Sequence, residues 1–557
     1  MATYNLDQTD LKSALTPSID TNIQNEIISY LVGKTAYTSP DTGTTIPVQT
    51  GGSITTPDPT ANVLIEINPD NTVTTDAALK AIVVDTPSDS TLVVNGSTAV
   101  LVATGNGNDG IYINDTAAVT VLAGDGNDTI YAGSGADSIV AGNGNDELVD
   151  QVSGHSTLQA GSGNNYIFGF GNDTLIGGSG HDTIYGGTGG VLTSNGTNDL
   201  LISQSTVGNA SILNGGGAGD MLYGGAGSDS LYAGSGDETL TAGSGNQLLQ
   251  GGSGNDLIMG SLLDSSGHIA VQGGNDTLSG GTGNDAIYSL SDTAHHNVLN
   301  AGSGNDSLYA GAGADSLYGG SGNDLFVGGA QTALISAGVN SHNEYIYSES
   351  DSTHGTTIDA SSTTGNDSLY AGSGADSLYG GTGADFFQGG AQTALINAGT
   401  SAQSEQIYSF SDAAHGTKID ASGTSGNDFL YGGAGADTLI GGSGSNVFTG
   451  GSASETMSGG NGNNFFINSS ATANDSMTAG SGQNAFFIEN NQSHDTIVAG
   501  SNANNELTYT NQSSGNFQGE TAGSTAGSVD LHFSNGQVTE VTGIQYVVFD
   551  NNQFIKV

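Results

Sequence analysis

Ala301-Gly302-Ser303-Gly304-Asn305-Asp306-Ser307-Leu308-Tyr309 is followed directly by Ala310-Gly311-Ala312-Gly313-Ala314-Asp315-Ser316-Leu317-Tyr318. Gly319-Gly320-Ser321-Gly322-Asn323-Asp324-Leu325-Phe326-Val327 comes next. The unit is nine residues long. It places two glycines, then an aspartate, then one large apolar residue at the same positions each time. Working outward, Gly-x-Gly-x-Asp occurs fifteen times between Gly105 and Asp437. One such match carries little weight, but fifteen at this spacing mark a repeat architecture. The apolar residues Leu308, Leu317 and Phe326 alternate with polar neighbours, which predicts one short strand per unit with that side chain pointing inward. The glycines allow positive φ and close approach of the backbone. The aspartate supplies hard oxygen suited to a hard cation.

Composition narrows the function. The 557 residues carry 55 acidic and five basic side chains, a net charge of −50. The basic residues are Lys12, Lys34, Lys80, Lys418 and Lys556, so nothing basic lies between Lys80 and Lys418. Nucleic acid is excluded as a direct partner, because no cations can displace phosphate counterions. An anionic membrane surface is disfavoured for the same reason. No apolar run approaches the length of a membrane span. Glycine contributes 92 residues without a period of three, so collagen is excluded. Cysteine is absent, which removes disulfides, thiolate metal sites and thiol nucleophiles.

The nonapeptide resembles the RTX repeat, G-G-x-G-x-D-x-U-x with U a large apolar residue. The resemblance covers roughly 104–505. It implies an all-β fold, a parallel β-roll or β-solenoid, in which each nonapeptide supplies one turn and one strand and two complete a coil. It also implies calcium between the turns of successive coils, held by aspartate carboxylates and main-chain carbonyls. The ligands implied are Asp109, Asp128, Asp137, Asp146, Asp173, Asp182, Asp229, Asp256, Asp276, Asp285, Asp306, Asp315, Asp324, Asp367, Asp376, Asp385, Asp428 and Asp437. The turn glycines implied are Gly124, Gly126, Gly133, Gly135, Gly302, Gly304, Gly311, Gly313, Gly320, Gly322, Gly372, Gly374, Gly381, Gly383, Gly433 and Gly435. Roughly 400 residues in coils of about twenty give a rod on the order of 100 Å long. An aspartate pair ~5 Å apart on adjacent coils repels by roughly 3 kcal/mol at an effective dielectric near 20. The charge therefore reads as a cation requirement.

The expected organisation has five parts. Residues 1–34 read as a helical segment, with Thr16 as N-cap, Pro17 at the first helical position and Gly33 as the stop. Ile19, Ile23, Ile27, Tyr30 and Leu31 share one face, and the segment is expected to cap the next domain. Residues 35–60 read as a linker, 61–103 as strands leading into the sheet, 104–505 as the roll, and 506–557 as a C-terminal β cap. By the resemblance, this last part also holds a type I secretion signal, which fits an N-terminus that lacks the pattern of a signal peptide. Inside the roll a 61-residue repeat carries Gly304–Tyr309 into 365–370 and 426–431. Each copy has three aspartate turns and then three strand-like pieces, Leu334-Ile335, Tyr345-Ile346-Tyr347 and Thr357-Ile358-Asp359. The solenoid is expected to run through these pieces on longer turns without calcium. The alternative is that 328–362 and 389–423 loop out. Asn446, Asn464 and Asn484 replace the aspartate late in the chain, where side-chain amides are expected to close the turns.

His295, His354 and His415 each follow a Tyr-Ser-x-Ser-Asp stretch, at 288–292, 347–351 and 408–412. We read this as a repeated turn, because a catalytic site is rarely needed three times. No metalloprotease or nucleophile-elbow motif is present. Tyr131, Tyr185, Tyr232, Tyr309, Tyr318, Tyr370, Tyr379 and Tyr431 follow the inward residue, and alternation puts them outside as a cross-strand ladder. The expectation is a secreted, extracellular, calcium-dependent structural protein without catalytic activity. It self-assembles as a homopolymer into a filament, surface layer or biofilm matrix. The second expectation is an adhesin binding glycans or cell surfaces, with cell-surface or matrix polysaccharide as partner, and the third a polysaccharide-modifying enzyme.

Overall fold

The computed structural model describes all residues except 1, 16–17, 35–43, 52–53, 153, 264–265, 341, 469, 471, 490–491 and 503. It is an all-β parallel solenoid with two α-helices among the described residues. The chain divides into two compact units, Met1–Thr277 and Leu278–Val557. In each, successive strands alternate between two parallel sheets, so that each coil contributes one strand to each sheet.

In the first unit one sheet runs through Ile46–Gly51, Val63–Glu66, Ala81–Val84, Leu101–Ala103, Thr120–Asp125, Ser138–Asn143 and Thr157–Ser162, each parallel to the next. The other runs through Asp70–Thr74, Thr91–Gly96, Gly110–Asp115, Thr129–Tyr131 and Glu147–Val149. Ile111, Ile130 and Leu148 stand in register, and all are buried between the sheets. In the second unit the inward column is Leu308, Phe326, Ile346, Leu369, Phe387, Ile407, Leu430, Phe448 and Phe466. Phe448, Phe466 and Phe486 stack at 4.7 and 4.8 Å, which is the coil repeat itself.

The 61-residue repeat stays inside the solenoid. Leu334–Ser336, Tyr345–Tyr347 and Thr357–Asp359 pair in parallel with the strands one coil before and after. Continuation holds and the looped-out alternative does not.

The N-terminal boundaries differ from expectation. Residues 1–34 hold a strand, Ala2–Leu6, and two helices, α1 (Gln8–Ala14) and α2 (Thr21–Gly33). The N-cap of α2 is Asp20, whose side chain accepts from the Asn22 N–H, while Thr16 and Pro17 lie outside the described residues. α2 does end at Gly33. The stretch read as a linker contains strand Ile46–Gly51, antiparallel to Ala2–Leu6 and parallel to Val63–Glu66, so the coils begin well before 104. Its signal was hidden, because Ile46-Pro47-Val48 is short and contains proline. Alternation leaves Val63, Ile65, Ala81, Val83, Leu101 and Ala103 on the outer face of their sheet. Leu11, Leu15, Ile27, Ile28 and Leu31 of the helical segment pack on them, and the whole cluster is buried. The helices thus cover a sheet face.

At the other end Glu506–Thr510 and Tyr546–Val548 continue one sheet in parallel. Val529–Phe533 and Phe554–Lys556 add antiparallel strands that cap the two sheets. Tyr509, Phe517, Phe533 and Phe549 cluster beneath this cap. Among the described residues no helix is long and apolar enough to cross a membrane.

Candidate metal-binding turns

Two edges join the sheets, and the eighteen predicted aspartates divide between them. Asp109, Asp128, Asp146, Asp182 and Asp256 in the first unit precede strands of one sheet, as do Asp285, Asp306, Asp324, Asp367, Asp385 and Asp428 in the second. Asp137, Asp173, Asp229 and Asp276, then Asp315, Asp376 and Asp437, line the opposite edge. All eighteen are buried.

Aspartates on successive coils are tied to one another. Asp128 Oδ1 accepts the Asp109 N–H at 2.7 Å, and Asp146 Oδ1 accepts the Asp128 N–H at 2.9 Å. Asp306 accepts from Asp285 at 2.7 Å and Asp324 from Asp306 at 2.9 Å. The second oxygen decides what the turn needs. In Asp128, Asp146, Asp182, Asp306 and Asp324, Oδ2 is buried and accepts no hydrogen bond within the protein.

The chain supplies its own comparison. Asn446 Oδ1 accepts the Asp428 N–H at 2.9 Å, just as an aspartate does. Its Nδ2 donates to the carbonyls of Gly442 and Gly444 at 3.1 and 3.2 Å. Asn464 and Asn484 repeat this with the carbonyls four and two residues back. The amide closure expected from the sequence is what forms. An aspartate has an oxygen and no N–H at this position, so it cannot donate these two bonds. A buried carboxylate oxygen is left without a donor, an arrangement that a cation resolves. The donors are carboxylate and carbonyl oxygens, which fit calcium. Among the described residues no three His, Cys, Asp or Glu side chains converge on one point, so main-chain carbonyls must complete any coordination shell.

The electrostatics agree. Burial, reinforced by Asp109 and Asp146 and opposed by the Asp109 N–H, pushes the Asp128 carboxyl up to about 8. Burial, with Asp324 and Asp285 adding repulsion, pushes Asp306 to about 7.

Other turns are closed by hydroxyls. Asp315 Oδ2 accepts from Ser289 Oγ at 2.8 Å, Ser291 Oγ at 2.9 Å and the Gly311 N–H at 2.8 Å. Asp376 Oδ2 accepts from Ser350 Oγ and the Gly372 N–H, and Asp437 Oδ2 from Ser411 Oγ and the Gly433 N–H. These serines belong to the Tyr-Ser-x-Ser-Asp stretches, so the repeated motif is a turn that serves the aspartate of the next coil. His295, His354 and His415 fold back on Asp292, Asp351 and Asp412 at 2.7, 2.9 and 2.8 Å and hold that turn from outside. Ser203-Gln204-Ser205 is a fourth case that sequence reading missed, with Ser205 Oγ donating to Asp229 Oδ2 at 2.7 Å. Thr363 and Thr424 hydroxyls close Asp367 and Asp428 in the same way. In these turns protein hydrogens stand where the others present bare oxygens.

The glycines serve two ends. Gly124, Gly126, Gly302, Gly304, Gly320 and Gly322 have positive φ. Gly313, Gly374 and Gly435 are needed for close approach, since a Cβ on each would lie 1.8 Å from a histidine carbonyl oxygen of the previous coil.

The column also contains acids outside the nonapeptide pattern. Glu344 Oε2 accepts the Asp324 N–H at 2.8 Å, and its own N–H donates to Asp367 Oδ1 at 2.9 Å. Glu405 does the same between Asp385 and Asp428; within the first unit, Asp199 accepts the Asp182 N–H and donates its own N–H to Asp220. One turn in each calcium-free stretch expected from the sequence therefore carries a buried acid. The longer glutamate reaches the column from a turn lacking Gly-x-Gly.

These differences predict unequal effects. Asp306→Asn lowers the number of calcium ions bound per chain in native mass spectrometry, and its amide keeps the turn closed. Asp315→Asn leaves the number at the wild-type value. Equal losses would refute the distinction.

The outer face of the second unit carries stacked aromatics. Tyr288–Tyr309, Tyr347–Tyr370 and Tyr408–Tyr431 are parallel at 4.7, 4.6 and 4.6 Å, and Phe386 bridges Tyr370 to Tyr408. The expected cross-strand ladder is present here. Tyr345 is 52% and Phe410 59% exposed beside it, so the patch presents aromatic surface to solvent.

The RTX calcium-binding nonapeptide repeat family, defined on four copies of the repeat, matches residues 120–148, 152–171, 169–190, 214–246, 241–262, 268–293, 291–326, 361–393, 421–448 and 449–467. No curated protein matches the chain.

Proposed function

We propose a function for what repeats and fold together make an RTX β-roll protein: a secreted structural protein that folds on meeting calcium outside the cell and then self-assembles. The assembly is a filament, surface layer or matrix. The column of buried carboxylate oxygens without protein donors carries this reading. Such a chain stays unfolded where calcium is scarce, which suits export as an unfolded polypeptide, and folds where calcium is plentiful. Calcium also offsets the charge of −50 that keeps copies apart. The aromatic patch around Tyr345, Tyr347, Phe410 and Phe429 supplies an apolar contact once that charge is offset. Solenoid strands fill both units, and we read the protein as having no catalytic activity.

In millimolar calcium the purified protein is expected to form filaments or sheets under negative-stain electron microscopy, and to remain dispersed in chelator. Phe410→Ser with Tyr345→Ser should weaken assembly while leaving the circular dichroism spectrum unchanged. Monomers alone at millimolar calcium would rule assembly out. The same stacked rings favour a second reading, an adhesin that stacks sugar rings. Glycan-array binding by a strictly monomeric protein, lost in the same double variant, would select it.

A further inference from the structure

The turn between strands Glu147–Val149 and Thr157–Ser162 breaks the acid pattern of its edge. Register places Ser138, Thr157 and Thr174 side by side, so the preceding residues Asp137, Ser156 and Asp173 are equivalent. Serine thus stands where the neighbouring coils have a carboxylate. Asp150 enters the same turn from its other end. Tyr131, Val149 and Phe168 are in register, so Asp150 aligns with Ala132 and Gly169, where the adjacent coils have small residues.

Asp150 is fully buried. Its Oδ1 accepts the Val152 N–H at 2.9 Å, and its Oδ2 is buried without any hydrogen bond in the protein. The position that a Cβ on Gly154 would take lies 3.1 Å from the Gly135 carbonyl oxygen, 3.4 Å from Ser156 Oγ and 3.5 Å from Asp150 Oδ2. Three oxygens therefore lie around the Gly154 backbone. The Ser156 hydroxyl accepts the Asp137 N–H at 3.2 Å and donates to the Gly135 carbonyl at 3.5 Å, and only Asp150 Oδ2 has no partner. The flanking carboxylates are already engaged. Asp137 accepts the Val119 and Gly133 N–H groups, and Asp173 accepts those of Ser156 and Gly171. They add negative charge to the turn, while Asp150 brings the oxygen that is unsatisfied. No lysine or arginine occurs between Lys80 and Lys418 to neutralise it.

We propose that Asp150, the Ser156 hydroxyl and the Gly135 carbonyl bind a hard divalent cation, calcium, at a site outside the nonapeptide pattern. An all-oxygen donor set with one buried carboxylate suits calcium over the softer transition metals. The site lies on the edge whose flanking aspartates already have protein donors, at the coil where the usual acid of that edge is missing. It rests on the reading that the chain binds calcium, which Asp306→Asn tests separately.

Calcium-loaded crystals of the full chain, measured at long wavelength, test the site without any substitution. An anomalous peak about 2.3–2.6 Å from Asp150 Oδ2 is expected. Peaks beside Asp128 and Asp146 with none at Asp150 would overturn this site alone. No peaks anywhere would overturn it together with the calcium reading. In solution, Asp150→Asn should lose one calcium ion per chain in native mass spectrometry, and Asp150→Asn with Ser156→Asp should regain it. An unchanged count in Asp150→Asn would also overturn the site. If Asp150→Asn does not fold, the anomalous map of the wild-type protein decides.

Discussion

In calcium-free buffer at pH 8 the full chain is expected to give the far-ultraviolet circular dichroism of an unfolded polypeptide, and millimolar calcium to restore a β-type spectrum in one cooperative transition. Each nonapeptide buries about one large side chain, such as Leu308 or Phe326, so the hydrophobic contribution per coil is small. Against it stand Asp128, Asp146, Asp182, Asp306 and Asp324, each with a buried, unsatisfied oxygen. Carboxylates ~5 Å apart add roughly 3 kcal/mol of repulsion per pair at an effective dielectric near 20. A calcium ion held at these oxygens would remove both penalties and, by binding only the folded form, favour it. At a hundred times its dissociation constant, each ion adds about 2.7 kcal/mol. Because each coil is bonded to its neighbours through both ladders, folding should be steep in calcium. A β-type spectrum that survives exhaustive chelation would disprove the requirement.

Acid should replace calcium in part. In the ion-free fold, burial is the leading cause that raises Asp128 to about 8, Asp306, Asp385 and Asp475 to about 7, and Glu344, Glu405 and Glu455 to about 8. The unfolded chain titrates these groups near pH 4. Between pH 4 and about 8 the folded form therefore binds more protons than the unfolded form. Its stability falls as pH rises through that window and recovers as pH falls. Decalcified protein that is unfolded at pH 8 should regain β-type circular dichroism as the pH is lowered toward 5. The measurement belongs in calcium-free buffer without chelator, because chelators weaken in acid. Bound calcium reverses the preference for protons, so calcium affinity should drop over the same range. An unfolded spectrum at both pH values would show that protons do not relieve the column.

Much of this molecule was legible in the sequence, and the limits have physical causes. The period at 301–327 identified coil, turn, inward residue and acid together, because all four recur locally. Asn446, Asn464 and Asn484 were legible as amide closures, since the exchange is a single atom at a known position. Strand Ile46–Gly51 was missed, because its evidence is pairing with Ala2–Leu6 and Val63–Glu66 and its own composition is weak. Glu344 and Glu405 were passed over because neither follows Gly-x-Gly. The serine pairs were visible as a repeated motif, but their partners Asp315, Asp376 and Asp437 lie a coil away.

From the chain alone follow the solenoid, the inward side chains and the acid at each repeat turn, because period and composition are properties of residue order. Only the folded coils divide the aspartates into those with bare oxygens and those satisfied by hydroxyls. That division depends on which side chain of the neighbouring coil reaches each carboxylate, often 18 to 26 residues away. Stacking register sets those neighbours. For the same reason a helix face readable in the sequence found its place, over the outer face of the first coils, only in three dimensions.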